Sequence, residues 1–199
     1  MKETVKWLFE ALWPAILIAI IVTVLFRIYY VKKNNKKVIL YEEIIKLSFI
    51  VYILCLFYVV TYPDDYVPWS TSNYTPFKEI FRYDLMSRLF IKNVLGNLFM
   101  FIPFGFYLSY ILKIHKVGWA FLFTTIVSLS IEMTQSMIGR VFDIDDIILN
   151  VCGGLIGFYI YSFLHFLKNK FPRFFSNLMI LTIMGIVLFI TIALVIMFF

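Results

Sequence analysis

The sequence predicts an all-α fold, a polytopic transmembrane bundle of about six spanning helices. Three observations carry this. Of the 199 residues, 62% are hydrophobic and only 15% charged, against roughly 45–50% and about 25% in soluble domains. The mean hydropathy is +0.91. The apolar residues also fall into blocks of about twenty, each long enough to cross a ~30 Å hydrocarbon core as a helix. Backbone groups in hydrocarbon must be satisfied within their own segment, so unbroken blocks of this length are helices. Soluble enzymes, disordered regulators and disulfide scaffolds are excluded.

The expected spans are 11–31, 44–62, 93–112, 117–138, 146–167 and 177–198. The first follows Lys2 and Lys6, but Glu3 and Glu10 weaken a basic leader and no small-x-small cleavage site precedes Tyr29-Tyr30, so it reads as a retained helix. The second contains Cys55 and the fifth Cys152, both expected as apolar thiols rather than a disulfide or metal ligands. The third opens with Asn93, Gly96 and Asn97, and Pro103 removes a helix hydrogen bond, which predicts a kink near Phe99 to Gly105. In the fourth, Thr124, Ser128, Glu132 and Gln135 recur at helical spacing along one face. The fifth starts at Asp145-Asp146, places Asn150 one turn deeper, and continues into Gly153, Gly154 and Gly157, a spacing that lets backbones approach closely. The sixth, with only Thr182 and Thr191 as hydroxyls, is a plain anchor. The division of the chain is therefore 1–43, an N-terminal helix and basic loop; 44–167, a four-helix membrane domain with loop 63–92; and 168–199, a C-terminal anchor.

Orientation follows the basic residues of short loops. Lys32, Lys33, Lys36 and Lys37, then Lys113 and Lys116, then Lys168, Lys170 and Arg173 fall on one side, which is expected to be cytoplasmic. The other side mixes Lys2, Lys6, Lys78, Arg82, Arg88, Lys92 and Arg140 with many carboxylates, and both termini are expected there, outside. The net charge of +6 then reflects attraction to anionic lipid, and no nucleic-acid partner is expected.

On this topology the polar residues converge near the outer leaflet. Glu132 lies about 9 Å from the outer end of its helix at 1.5 Å per residue. Even on the lenient insertion scale a carboxylate there costs at least ~2.5 kcal/mol, so it should face protein or water. Arg140 is its natural bidentate partner. The candidate polar cluster is Asn93, Asn97, Glu132, Gln135, Arg140, Asp143, Asp146 and Asn150. It reads either as an interhelical net that only holds helices together or as a cavity that contacts a ligand, and the density of polar groups between 132 and 150 favours the cavity. His115 and His165 lie at the opposite ends of their helices and read as interfacial residues. Loop 63–92 is rich in Tyr, Trp and Pro; it reads as an interfacial anchor or as a lid with Pro76-Phe77 tucked against the helices.

Four blocks carry a resemblance. Asn73-x-x-Pro76-Phe77, then Asn93-x-x-Gly96-Asn97-x-x-x-Phe101-x-Pro103-x-Gly105, then Glu132-x-x-Gln135-x4-Arg140-x2-Asp143, and then Asp145-Asp146-x3-Asn150-x2-Gly153-Gly154-x-x-Gly157 occur in order, and the chain resembles the VanZ family over roughly 44–167. The resemblance implies a multi-pass protein of the bacterial cell membrane connected with the cell envelope. The family's namesake is associated with lowered susceptibility to the glycopeptide teicoplanin; the family name supplies no reaction. The motif residues carried over are Asn73, Pro76, Phe77, Asn97, Pro103, Glu132, Gln135, Arg140, Asp143, Asp146 and Asn150.

Three functions are expected in turn. A non-catalytic envelope factor would bind a lipid-linked cell-wall precursor or a lipoglycopeptide at the outer leaflet, with Arg140 and helix ends meeting its anionic groups. An intramembrane hydrolase or transferase would use Glu132 with Asp143 or Asp146 as acid and base, or hold a divalent cation on Asp143, Asp145 and Asp146; the sequence shows no nucleophile–base signature for it. A small transporter subunit would need a polar path through the bilayer, and the cytoplasmic half is apolar. The first is preferred, the bilayer itself is the certain partner, and no cofactor or metal site is expected.

Overall fold

A computed structural model describes residues 2–34, 40–61, 72–85 and 87–172, together with isolated positions between 179 and 186. Lys36 and Lys37 of the basic loop, the first part of loop 63–92 and nearly all of the expected sixth span lie outside the described residues. The elements are α1 (Lys2–Asn34), α2 (Leu40–Thr61), α3 (Arg88–Phe90), a π-helical stretch (Ile91–Leu95), α4 (Gly96–Leu112), α5 (Val117–Met137) and α6 (Ile144–Lys170). Among the described residues there is no strand, only a single parallel bridge between Asn73 and Asp143. Three helical stretches are long and apolar enough to cross a membrane, Arg88–Leu112, Val117–Met137 and Ile144–Lys170. The expected six thus stand at three among the described residues, the described apolar part of α2 being the shorter Ile45–Phe57.

The chain divides into two compact units, Met1–Val59 and Val60–Phe199. In the first, α1 continues through Pro14 and is tied to α2 by Arg27 and Glu43, 2.6 Å apart. Lys46 approaches the same carboxylate at 3.5 Å.

The second unit contains the polar residues. α6 packs against both α4 and α5, which barely touch each other. Asn97 meets Asp146 and Leu98 meets Gly153, so α4 and α6 run parallel; Ser128 meets Asn150 and Thr124 meets Gly154, so α5 runs antiparallel to them. Glycines make the α4–α6 contact possible. A Cβ on Gly105 would lie 1.9 Å from the Gly154 carbonyl oxygen, one on Gly153 2.1 Å from that of Leu98, and one on Gly157 2.1 Å from that of Ile102. The wall of each contact is therefore main chain. Small residues allow this approach, and the gain is dispersion between backbones, since lipid tails give apolar side chains no reason to prefer protein.

Pro103 lies inside α4, whose helical assignment continues through it, and a π-helical stretch, Ile91–Leu95, precedes that helix. Such single π turns insert one extra residue and rotate the helix beyond them. Ser87 starts the helical run by accepting the Phe90 N–H, and Lys113, in the left-handed conformation with φ +53°, ends α4. At that end the loop between α4 and α5 meets α6, with the His115 and His165 rings 5.6 Å apart.

Candidate functional site

The opposite end of this unit collects the N-termini of α4 and α6, the C-terminus of α5 and the segment 72–85. The organising residue is Asp145, in the first turn of α6 and 1% exposed. Its Oδ1 accepts the Phe77 N–H at 2.5 Å, and its Oδ2 accepts those of Glu79 at 2.7 Å and Ile80 at 3.2 Å. The Asn73 amide also reaches Oδ2 at 3.4 Å. A carboxylate accepting several backbone N–H groups is the strongest kind of neutral-donor anchor a buried loop can have. Phe77 adopts φ +66°, which turns the chain so that successive amides face this carboxylate. From the sequence Asp145 is a candidate cation ligand beside Asp143 and Asp146, not an anchor for the loop. The available signal was Asp143, whose side chain accepts the Asp145 N–H at 2.9 Å as the N-cap of α6; that cap sets the helix start at Ile144 and turns Asp145 toward the loop.

Asn73 and Asp143 complete the latch. Their strands of chain exchange backbone bonds, Asn73 N–H to Phe142 carbonyl at 2.8 Å and Ile144 N–H to Asn73 carbonyl at 3.0 Å. The Asn73 amide donates to Asp143 Oδ1 at 2.8 Å, while its own Oδ1 accepts the Thr75 N–H at 3.1 Å. Burial pushes the Asp143 carboxyl above its ordinary value, and the bonds from the Asp145 N–H and Asn73 oppose that shift. Pro76 and the Phe77 ring, which the lid reading tucks against the helices, are exposed; the segment is held by its main chain, and Phe77 points outward near Phe81.

One step deeper lies a second layer. Glu132, 1% exposed on α5, accepts the Asp143 N–H at 2.9 Å. The half-buried Asp146 accepts from the Asn97 amide of α4 at 2.5 Å. Glu132 and Asp146 are electrostatic neighbours, and both feel the positive charge of Arg140. The Arg140 N–H closes the end of α5 on the Gln135 carbonyl at 2.9 Å, and the Gln135 side chain is buried. Below this, the Asn150 amide donates to Ser128 Oγ at 3.0 Å, while its buried Oδ1 has no partner among the described residues. Asn93, in the π-helical stretch, donates to the Tyr83 hydroxyl at 3.0 Å and so ties that stretch to the loop.

The structure thus brings Asn97, Glu132, Arg140, Asp143 and Asp146 to one level, leaves Asn150 one turn deeper, and sets Asn93 against the loop. Gly153, Gly154 and Gly157 lie on the faces of α6 turned to α4 and α5. Asp143, Asp145 and Asp146 diverge toward a helix cap, the loop amides and Asn97, and among the described residues no group of three or more His, Cys, Asp or Glu is placed to hold a metal ion. The rim mixes the exposed apolar residues Tyr74, Phe77, Phe81, Leu85, Met137 and Ile138 with the exposed charges Lys78, Arg82 and Asp84.

Spanning-length apolar helices that close over buried carboxylates define a helical integral membrane protein with one polar, loop-capped end. Residues 49–165 match the family model VanZ/LLP1, and the chain belongs to that family. A search of curated proteins finds no match. A search of solved structures finds none either.

Proposed function

We propose that the protein is a multi-pass protein of the bacterial cell membrane whose polar end faces outward and engages a lipid-linked or lipophilic ligand, lowering susceptibility to teicoplanin-type lipoglycopeptides. The observation that carries the reading is the layer of Glu132, Asp146 and Arg140 beside the exposed apolar side chains Tyr74, Phe77, Phe81, Met137 and Ile138. Asp143 and Asp145 are consumed in fastening the loop and Asp146 holds Asn97, whereas Arg140 is partly exposed beside Glu132 and Asp146. An amphiphile needs this combination: apolar surface for its tail and a guanidinium with carboxylates for its polar part. The test is teicoplanin susceptibility of a sensitive Gram-positive host expressing the wild-type chain, Glu132→Gln or Arg140→Ala at matched membrane levels. Protection by the wild type alone is expected. Equal protection by the variants would leave the layer a structural net, and no protection by any of them would remove the antibiotic from the reading.

The outward orientation is supported by Lys113, Lys116, Lys168 and Lys170, which lie at the end of the helices opposite the site. With Cys55 and Cys152 replaced by alanine, Lys78→Cys should react with an impermeant maleimide in intact cells, and Lys116→Cys only after permeabilisation. The reverse pattern would place the site in the cytoplasm.

A second reading, an intramembrane hydrolase or transferase acting on a lipid-linked envelope substrate, is favoured by the neighbouring carboxylates Glu132 and Asp146, one of which would act as acid and the other as base. Turnover of such a substrate by purified protein, lost in Glu132→Gln, would select it over binding.

A further inference from the structure

Within the N-terminal unit, α1 and α2 enclose a groove of about 480 Å³, inside the range of roughly 300–1,000 Å³ typical of small-molecule sites. Its floor is apolar, with Val22, Phe26 and Ile50, and its mouth is charged, with Arg27, Glu43 and Lys46. The Arg27 guanidinium gives one amino group to Glu43 at 2.6 Å and lies beside the Tyr30 ring, 5.3 Å from its centroid. Its Nε–H is buried and has no partner among the described residues. A buried guanidinium N–H without an acceptor is a standing cost, relieved by any anionic oxygen that reaches it. Lys46 is shared between Glu42 at 4.0 Å and Glu43 at 3.5 Å. Arg27 and Lys46 are thus balanced by Glu42 and Glu43, and the excess positive charge at this end comes from Lys32 and Lys33 in the last turn of α1. Arg27 sits about 8 Å along the helix from Lys32 by helical rise, within reach of one lipid headgroup and the start of its acyl chain.

We propose that this groove holds one anionic phospholipid, its phosphodiester on the partly exposed side chains of Arg27 and Lys46 and one acyl chain along Val22, Phe26 and Ile50. The polar end of the other unit plays no part in it. Apart from Ile50, the lining lies outside the family match. A zwitterionic headgroup would bring its own cation to an end that is already positive, so phosphatidylglycerol should be preferred over phosphatidylcholine.

The test is native mass spectrometry of the full-length protein released from micelles containing equal amounts of the two lipids. The wild type should retain one phosphatidylglycerol. Arg27→Gln should lower that retention about tenfold, the weight of one hydrogen bond to a charged group. Ile50→Trp, which fills the floor and leaves the ion pair intact, should lower it as well. If Arg27→Gln is not monodisperse, Ile50→Trp decides. Retention unchanged in the monodisperse variants, which means annular lipid only, or equal retention of both lipids by the wild type, overturns the proposal.

Discussion

Replacing Asp145 by alanine is expected to free the segment 72–85 and to abolish the function of the polar end. The carboxylate gathers the N–H groups of Phe77, Glu79 and Ile80 and the Asn73 amide. Without it, donors that the fold withdraws from water lose their acceptor, each at about 1–3 kcal/mol. Because water can enter once the segment lifts, the net loss should be about 3 kcal/mol rather than the full sum. Asp145→Asn should be nearly as damaging, since its NH2 group points donors at donors. Limited trypsinolysis in membranes provides the readout. Lys78 and Arg82 are exposed but lie in clamped backbone, so the wild type should resist cleavage there and both variants should be cut rapidly. A variant as resistant as the wild type would show that the Asn73–Asp143 bridge suffices.

The second large effect is expected at the helix seam. Gly153→Ala and Gly157→Ala each place a methyl group 2.1 Å from a backbone carbonyl oxygen of α4. A side chain in that place would rotate away; a helix backbone cannot, so α4 must shift bodily. The cost should reach about 3 kcal/mol or more, the upper end of overpacking effects. Folded yield after detergent extraction should fall steeply for both. Gly118→Ala is the control: it sits on α5 with nothing within 4 Å of the added carbon and should behave as the wild type. Normal yield of Gly157→Ala would mean that α4 and α6 do not pack as described.

Much of this arrangement is legible in the sequence because membrane helices expose their periodicity. Thr124, Ser128, Glu132 and Gln135 recur at one helix face, and all four are buried in α5. The apolar block 117–138 corresponds to the helix Val117–Met137, since polar loops bound it sharply on both sides. The features that escaped were decided by contacts distant in the chain. Asp145 binds amides 65–68 residues earlier, and although the Asp143 cap turns it off the helix, no local pattern shows which distant segment supplies the donors. Pro103 drew attention to the middle of α4, whereas the π turn at Ile91–Leu95 just before that helix went unmarked. A π turn has no residue signature comparable to proline, because it answers to the packing of its neighbours, here the Asn93–Tyr83 contact on one side and the glycine seam on the other.

The parallel pairing of α4 with α6 has a consequence for how the protein is made. Helices joined by a short loop can pair as a hairpin as soon as both leave the ribosome, but α4 finds its main partner only after α5 has been laid down and α6 has emerged in turn. At about 5–20 residues per second, the interval between Leu112 and Lys170 is roughly 3–12 s. During that time α4 presents Asn97 and the bare backbone around Gly105 to lipid or to the insertion machinery, with neither Asp146 nor Gly154 yet synthesised. Nascent chains stalled before α6 are therefore the species most exposed to membrane quality control, and slow codons between α5 and α6 would lengthen that exposure without altering a single residue.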